Sequence, residues 1–321
     1  MITLFGRPTV FISVVTPTYN RQPILEKCLR ALEQQIYDPT LITDYELVVV
    51  DDGSTDGTQA WLRQNAAEFP HVRLFERHHG GAGAARNYGV EVAQGDTIAF
   101  IDSDVILVPG ALQDHAQALS DAYQRLGDDR AFSAGRLVNT CNFEQPTGEA
   151  PKVTDFSNAF FDTANVAIAR HWLLTAGLFD PDFRLYGWED LELGVRLKNL
   201  GVSMVKVPEA TGYHYHAPFA LDQIPKMIDQ EIQRGRMGAL FYQKHPTREV
   251  KMMVQMTWLH RILWGVLTVG GRLNEKTMAP LLRWLIDQGK PQVALELARV
   301  FLNWYTVQGV YTAYSEIQQE G

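Results

Sequence analysis

Cysteine is almost missing from this sequence. Cys28 and Cys141 are the only two in 321 residues, so no disulfide framework holds the fold and a reducing compartment is expected. Positive charge is also short, with 29 Lys and Arg against 37 Asp and Glu and a net charge of −8. Nothing resembles the basic stripe that nucleic-acid phosphates require, so nucleic acid is excluded as the main partner. No apolar run reaches the ~18 residues of a spanning helix. The best stretch, Met252 to Val269, is interrupted by Gln255, His260 and Arg261. The N-terminus shows no basic segment followed by a long apolar one, so secretion is not expected. Internal repeats and low-complexity tracts are missing too. These absences leave an ordinary folded protein, expected in the cytoplasm or peripherally at the inner face of a membrane.

What is present begins with strand and helix patterns in alternation. Val10–Val15, Tyr45–Val50, Val72–Phe75 and Ile98–Ile101 are short β-branched runs that predict buried strands. Between them, Gln22–Gln35 carries Ile24, Leu25, Cys28, Leu29 and Leu32 at helical spacing, and further helices are expected through Trp61-Leu62 and from Gly81. This order predicts an α/β fold with a Rossmann-like, mostly parallel sheet and helices on both faces. Residues 130–170 read as short strands and loops, and Asp190–Leu200 as a helix closed by Gly201. Val202–Val207 is expected as a strand and Thr211–Pro218 as a loop rich in His and Tyr. An all-helical extension is expected over 221–321, after a domain spanning 1–220. Within it, Met253 to Leu267 reads as one unusually apolar helix, and 277–317 as a helical hairpin broken at Gly289-Lys290-Pro291.

Five polar motifs fall at the ends of these elements. Asp102-Ser103-Asp104 follows a buried strand and points two carboxylates to one face, because side chains alternate along extended chain. Two such anions repel unless a cation stands before them, and a hard divalent ion is one answer. A helix cap plus a surface acid is the plainer one. Thr16-Pro17-Thr18-Tyr19-Asn20-Arg21 and Asp51-Asp52-Gly53-Ser54 end the first two strands, where open α/β sheets bind ligands. Gly80-Gly81-Ala82-Gly83-Ala84-Ala85-Arg86-Asn87 opens a helix with small residues and a guanidinium, in neither the dinucleotide nor the Walker spacing. Trp188-Glu189-Asp190 starts another helix, where acids favour the dipole or serve as a general base. His214 and His216 lie far downstream, where one of them could join a carboxylate-held metal.

In this order, from Phe11 to Pro218, the motifs resemble glycosyltransferase family 2, the nucleotide-sugar-dependent enzymes of the GT-A fold. Trp188-Glu189-Asp190 resembles the acceptor-side motif of galactosyltransferase-like and chondroitin-polymerase-like members. The resemblance implies that Thr16, Pro17, Tyr19, Asp52 and Arg86 hold the nucleoside and diphosphate, with Arg21, Asp51, Gly83 and Ser103 in the same subsite. Asp102 is implied at ribose or metal, Asp104 as ligand of Mn²⁺ or Mg²⁺, and His214 or His216 as completing the metal site. Asp190 is implied as general base, with Glu189 beside it. The donor would be a nucleoside-diphosphate sugar, UDP-sugar favoured. The acceptor would be a hydroxyl of a glycan, a lipid-linked molecule or a small molecule, attacked in one inverting displacement. A retaining transferase, a sugar nucleotidyltransferase and a non-catalytic nucleotide-sugar-binding protein stay open as alternatives. Processive synthases of the family carry membrane helices and Gln-x-x-Arg-Trp; this chain has only Gln233-Arg234-Gly235-Arg236-Met237. For the apolar tail the expectations are core packing, homodimerisation or docking on a membrane surface.

Overall fold

The computed structural model describes residues 9–152, 155 and 159–320. These residues fall into two compact units: the first runs through Pro181 and resumes over Glu189–His216, and the second takes Asp182–Trp188 and the chain from Ala217 onward.

The first unit is built on one eight-stranded sheet. Strands β1 (Val10–Thr18), β2 (Ile42–Asp51), β3 (Val72–Glu76) and β4 (Thr97–Ile101) lie parallel in the order β3-β2-β1-β4. They are joined by α1 (Gln22–Glu33), α2 (Thr58–Gln64) and α3 (Ala82–Val92). These strands read as continuous apolar runs because both faces are covered. Val14, Leu47, Val49, Ala99 and Ile101 enter one core, while their neighbours Val15, Val48, Val50, Ile98 and Phe100 enter the other.

Beyond β4 the expected parallel order gives way. The sheet continues with β7 (Asn165–Ala169), β6 (Ala131–Thr140), β8 (Ser203–Tyr215) and β5 (Val105–Leu107). Strand β7 is antiparallel to both β4 and β6, and β5 is antiparallel to β8, while β6 and β8 run parallel. The unit's second half also carries α4 (Ala111–Leu126) after β5, α5 (Arg170–Ala176) after β7, which was not foreseen from the sequence, and α6 (Glu189–Asn199) before β8. The expected loop at Thr211–Pro218 is corrected in its first part, since Thr211–Tyr215 finishes β8. Its Thr and Tyr residues are strand formers, and Gly212 lets β5 approach so closely that a Cβ there would stand 2.6 Å from Val105.

Unit two is helical. Its longest elements are α7 (Ile224–Lys244) and α11 (Pro291–Glu320), with α10 (Glu275–Asp287) folded back on α11 around Phe219, Ile224, Leu282, Leu285, Ala298 and Phe301. The single apolar helix expected from Met253 to Leu267 is instead two, α8 (Arg248–Met253) and α9 (Trp258–Leu267). Gln255 turns the chain between them at φ +56°, and the Thr257 hydroxyl caps α9 at the His260 amide. Helices α7 and α11 meet backbone to backbone at Gly235 and Gly309. A Cβ on Gly235 would lie 2.5 Å from the Thr306 carbonyl oxygen. Gly235→Ala should therefore destabilise this unit by ~1–3 kcal/mol. Urea unfolding followed by tryptophan fluorescence reports it, because Trp188, Trp258, Trp264, Trp284 and Trp304 all lie there.

Candidate functional site

Parallel register places the ends of β1 and β2 side by side, with Thr18 opposite Asp51, and β4 ends on the other flank of β1. Three of the five motifs therefore share one edge of the sheet, the edge where such sheets bind ligands. At the β2 end, Asp51 Oδ1 accepts hydrogen bonds from the Gly53 and Ser54 amides at 3.1 and 2.8 Å and from Gln59 Nε2 at 2.7 Å. Its Oδ2 is buried without a partner, as are the hydroxyls of Thr16 and Thr18; Pro17 between them is half-buried.

Asp52 is committed differently. It accepts from the amides of Gly80 and Gly81 at 3.1 and 2.8 Å, is 2.9 Å from His79 Nδ1 and pairs with Arg77. The amides at the start of α3 thus already hold an anion, the Asp52 carboxylate. This loop cannot close without a left-handed residue: Gly53 sits at φ +85° with the His79 amide 3.2 Å from where its Cβ would be. Tyr19, 43% exposed, stacks on His79 with ring centroids 4.4 Å apart, and Asn20 ties the two loops together through Ser54 and Thr55. Arg77 and His79 were not singled out from the sequence. The run of cations just before Gly80-Gly81 was the available signal.

The Asp102-Ser103-Asp104 turn links β4 to β5. Pairing of β5 with β8 sets Val105 opposite His214, and the Tyr215 amide donates to the Asp104 carbonyl at 2.8 Å. His214 Nε2 consequently stands 3.2 Å from Asp104 Oδ1. Ligand atoms of Asp102, Asp104 and His214 all fall within 4.8 Å of one another. His216 does not join them: its Nε2 bonds Asn139 Oδ1 at 2.9 Å, and its ring packs 4.2 Å from that of His214. Of the two histidines the sequence left open, the fold brings His214 to the carboxylates and sets His216 behind it. Arg21 reaches Asp104 Oδ2 at 2.9 Å from the β1 side. The Ser103 carbonyl accepts from the Cys28 thiol, whose pKa is pushed up by burial and by Asp104 and Asp102.

Charge in this cluster is graded by its partners. Burial pushes the Asp104 carboxyl up, but the His214 hydrogen bond and charge, with Arg21, outweigh it and hold the group below the usual carboxylate range. Asp102 ends above that range, raised by burial against the opposing pull of Arg86. His214 is raised, since its bond to Asp104 exceeds the burial cost.

Arg86, 5% exposed on α3, connects this cluster to the start of α6 (Glu189–Asn199). Its Nη2 donates to Asp102 Oδ1 at 2.7 Å, while Nη1 lies 3.6 Å from Glu189 Oε1. Neither Nη1 nor Nε has a hydrogen-bond acceptor, and Glu189 Oε2 is likewise buried without a donor. Gly83, one turn earlier, faces Phe179 and Glu189, where a Cβ would fall at ordinary contact distances of 3.4 and 3.7 Å. Next on α6, Asp190 is raised to about 8 by burial, then by Glu189 and Asp162. Asp162 was not foreseen as part of this cluster.

Residues 13–138 match the profile of glycosyl transferase family 2. A chondroitin synthase of Escherichia coli is 29% identical over 243 residues, covering 64% of this chain and 35% of that protein. A validoxylamine A glucosyltransferase of Streptomyces hygroscopicus subsp. jinggangensis is 29% identical over 238 residues, covering 63% of this chain and 54% of that one. The chain therefore spans about half the length of these curated relatives, or less. In fold it is similar to a mannosyltransferase from Pyrobaculum calidifontis, solved in complex with GDP-Man and Mn²⁺. That likeness has a TM-score of 0.58 and 20% identity, covering 96% of this chain and 86% of that one.

Because Arg86 separates two carboxylates, Arg86→Met should cost about 3–5 kcal/mol at neutral pH. Without the guanidinium, Asp102 moves further above its unfolded pKa. A folded state that binds the extra proton gains stability as pH falls, so the deficit should shrink from pH 8 to pH 5. Urea melts of both proteins at the two pH values measure it; a pH-independent deficit would point to lost packing instead.

Proposed function

We propose that this chain, whose residues 13–138 match the family 2 glycosyl transferase profile on a fold of the GT-A type, transfers a sugar from a nucleoside-diphosphate sugar to an acceptor hydroxyl in glycan assembly. UDP-sugar is the favoured donor. One observation carries the reading: a carboxylate cluster at the strand ends is linked through Arg86 and Glu189 to a second acid, Asp190, whose pKa is raised to about 8. A leaving-group site and a proton acceptor are thereby provided on neighbouring elements of one unit. The names of the two curated relatives, a chondroitin synthase and a glucosyltransferase, support sugar transfer.

In this reading the Tyr19–His79 stack offers a face to the base. The unpartnered Asp51 Oδ2 and the Thr16 and Thr18 hydroxyls offer polar contacts at the nucleoside edge. Two carboxylates and an imidazole suit Mn²⁺ or Mg²⁺, so Asp102, Asp104 and His214 would hold the cation, which when bound supplies neutralisation of the diphosphate. The acceptor oxygen bonds to C1 as the bond from C1 to the diphosphate oxygen breaks, and the electron pair leaves on the diphosphate. The acceptor proton passes to the Asp190 carboxylate. One displacement of this kind inverts the anomeric centre.

A raised base must lose its proton before it works, so kcat/KM should climb with pH to an inflection near 8. UDP release from a panel of UDP-sugars, with anomer-resolving NMR of the product, reads both rate and stereochemistry. Asp190→Asn should lower kcat by about 10²–10⁴-fold with donor binding intact. A variant that transferred at the wild-type rate would remove Asp190 as base. Calorimetry with Mn²⁺ and UDP should show metal-dependent nucleotide binding, weakened more than ~10-fold by Asp104→Asn or His214→Ala. Metal-independent binding would refute the cation site.

A further inference from the structure

Helix α9 is inside out. Its inward side faces α11 through Gly265, which lies against Trp304, and through Arg261, stacked 5.1 Å over the Tyr311 ring. The Trp264 indole N–H is satisfied by Gln255 Oε1 at 2.6 Å. Its large aliphatic and aromatic residues point the other way: Trp258 is 68%, Ile262 56% and Val266 71% exposed, with Leu259, Leu263 and Leu267 beside them. Positions 258, 259, 262, 263, 266 and 267 recur at helical spacing, so these side chains form one continuous stripe rather than scattered exposures. The stripe continues past the helix to Val269, 55% exposed, and inward through Leu267 to an apolar pocket of about 230 Å³ lined also by Leu273, Met278, Leu297, Val300 and Phe301.

Charge identifies the occupant. Between Lys251 and Arg283 the chain carries Lys251, Arg261, Arg272, Lys276 and Arg283 against one acid, Glu275, although the whole chain has a net charge of −8. A two-fold contact with a second copy would lay this basic segment against itself, which Coulomb repulsion disfavours. A surface that is apolar beneath and negative above suits it instead. Exposed tryptophan with leucine, isoleucine and valine on one helical face, beside Lys and Arg, is the composition that enters the headgroup–acyl boundary of a bilayer. No described helix is long and apolar enough to cross a membrane, so the contact would lie in the interface plane. We propose that the second unit docks on an anionic lipid surface through the outward stripe of α9, with the exposed Arg272 and Lys276 facing the headgroups.

Co-sedimentation of the full chain with vesicles of phosphatidylcholine, alone or mixed with phosphatidylglycerol, tests this. Binding is expected to the mixed vesicles and to weaken as salt rises. The triple variant Trp258→Ser, Ile262→Ser, Val266→Ser should lose at least ~10-fold in partition. It should keep the wild-type circular dichroism and UDP-release rate, because none of the three sits in the transferase site. Arg272→Gln with Lys276→Gln should lose the preference for phosphatidylglycerol. Absence of binding to mixed vesicles, or equal binding by the triple variant, would overturn the proposal. So would sedimentation equilibrium showing a dimer that the triple variant dissolves while vesicles go unbound.

Discussion

A single guanidinium, buried among carboxylates that would otherwise repel, is the interaction on which the site depends. Arg86 reaches Asp102 on one side and Glu189 on the other, and burial that would lower its pKa is outweighed by those two charges. A like-charge pair at about 4 Å repels by roughly 4 kcal/mol at an effective dielectric of ~20, comparable to the stability margin of many domains. The helix that carries Arg86 is shaped for the task. Gly89 lets α3 lie so close to β1 that a Cβ would meet Val15 at 2.4 Å. The amides of Gly80 and Gly81 that lead into the helix serve Asp52.

Of three carboxylates in this region one is held low and two are raised, and the difference follows from what each one faces. Asp104 has an imidazole and a guanidinium and is held low; Asp102 is raised because burial outweighs the pull of Arg86; Asp190 is raised by burial, then by the Glu189 and Asp162 carboxylates. Divergent pKa values among neighbouring acids are how one site separates roles, with a permanently ionised group for binding charge and a raised one for moving protons. In the proposed reaction the low acid sits with the leaving group and the raised acid with the acceptor. The same sequence pair, Asp102 and Asp104, therefore has unequal members because β5 and β8 bring His214 into hydrogen-bond distance of Asp104, while Arg86 pairs with Asp102.

Much of this was legible in the residues because the first half of the sheet is locally encoded. Strands β1, β2 and β4 alternate between two buried faces, so their apolar runs announce them, and each ends in a polar motif. The second half was less legible. Strand β8 carries polar and aromatic residues along the rim, and its pairing with β5 is a long-range contact that no local pattern reveals. His214 could be named as a candidate, but its separation from His216 required the register. The Asp52 staple was hidden for a similar reason: Arg77 and His79 precede the glycines in sequence but act on an acid at the end of β2. In the tail, composition suggested one apolar helix. The break at Gln255 arises from an indole and an amide finding each other, Trp264 with Gln255, which in turn is held by Asn303.

Trp188 is the residue where backbone strain and chemistry adjoin. A bulky side chain at φ +76° is held at a cost of about 1–3 kcal/mol, and it persists only where surroundings over-determine it. Its indole N–H donates to the Arg234 carbonyl at 2.8 Å and its ring lies 6.0 Å from Phe241, both on α7. Gly187, at φ +96°, also lies against Arg234, whose Cγ is 3.4 Å from where a Cβ would be, so both left-handed residues contact the same residue of α7. The next residue begins α6. Glu189 and Asp190 both fall in its first turn, where unpaired amides favour negative charge. That favourable field works against the elevation of Asp190, and the group is raised all the same. Burial beside Glu189 and Asp162 must therefore exceed the helix terminus, the Leu191 amide and Arg86 together. Burial is the largest cause of that elevation and the Glu189 and Asp162 carboxylates add to it, so removing either would lower it.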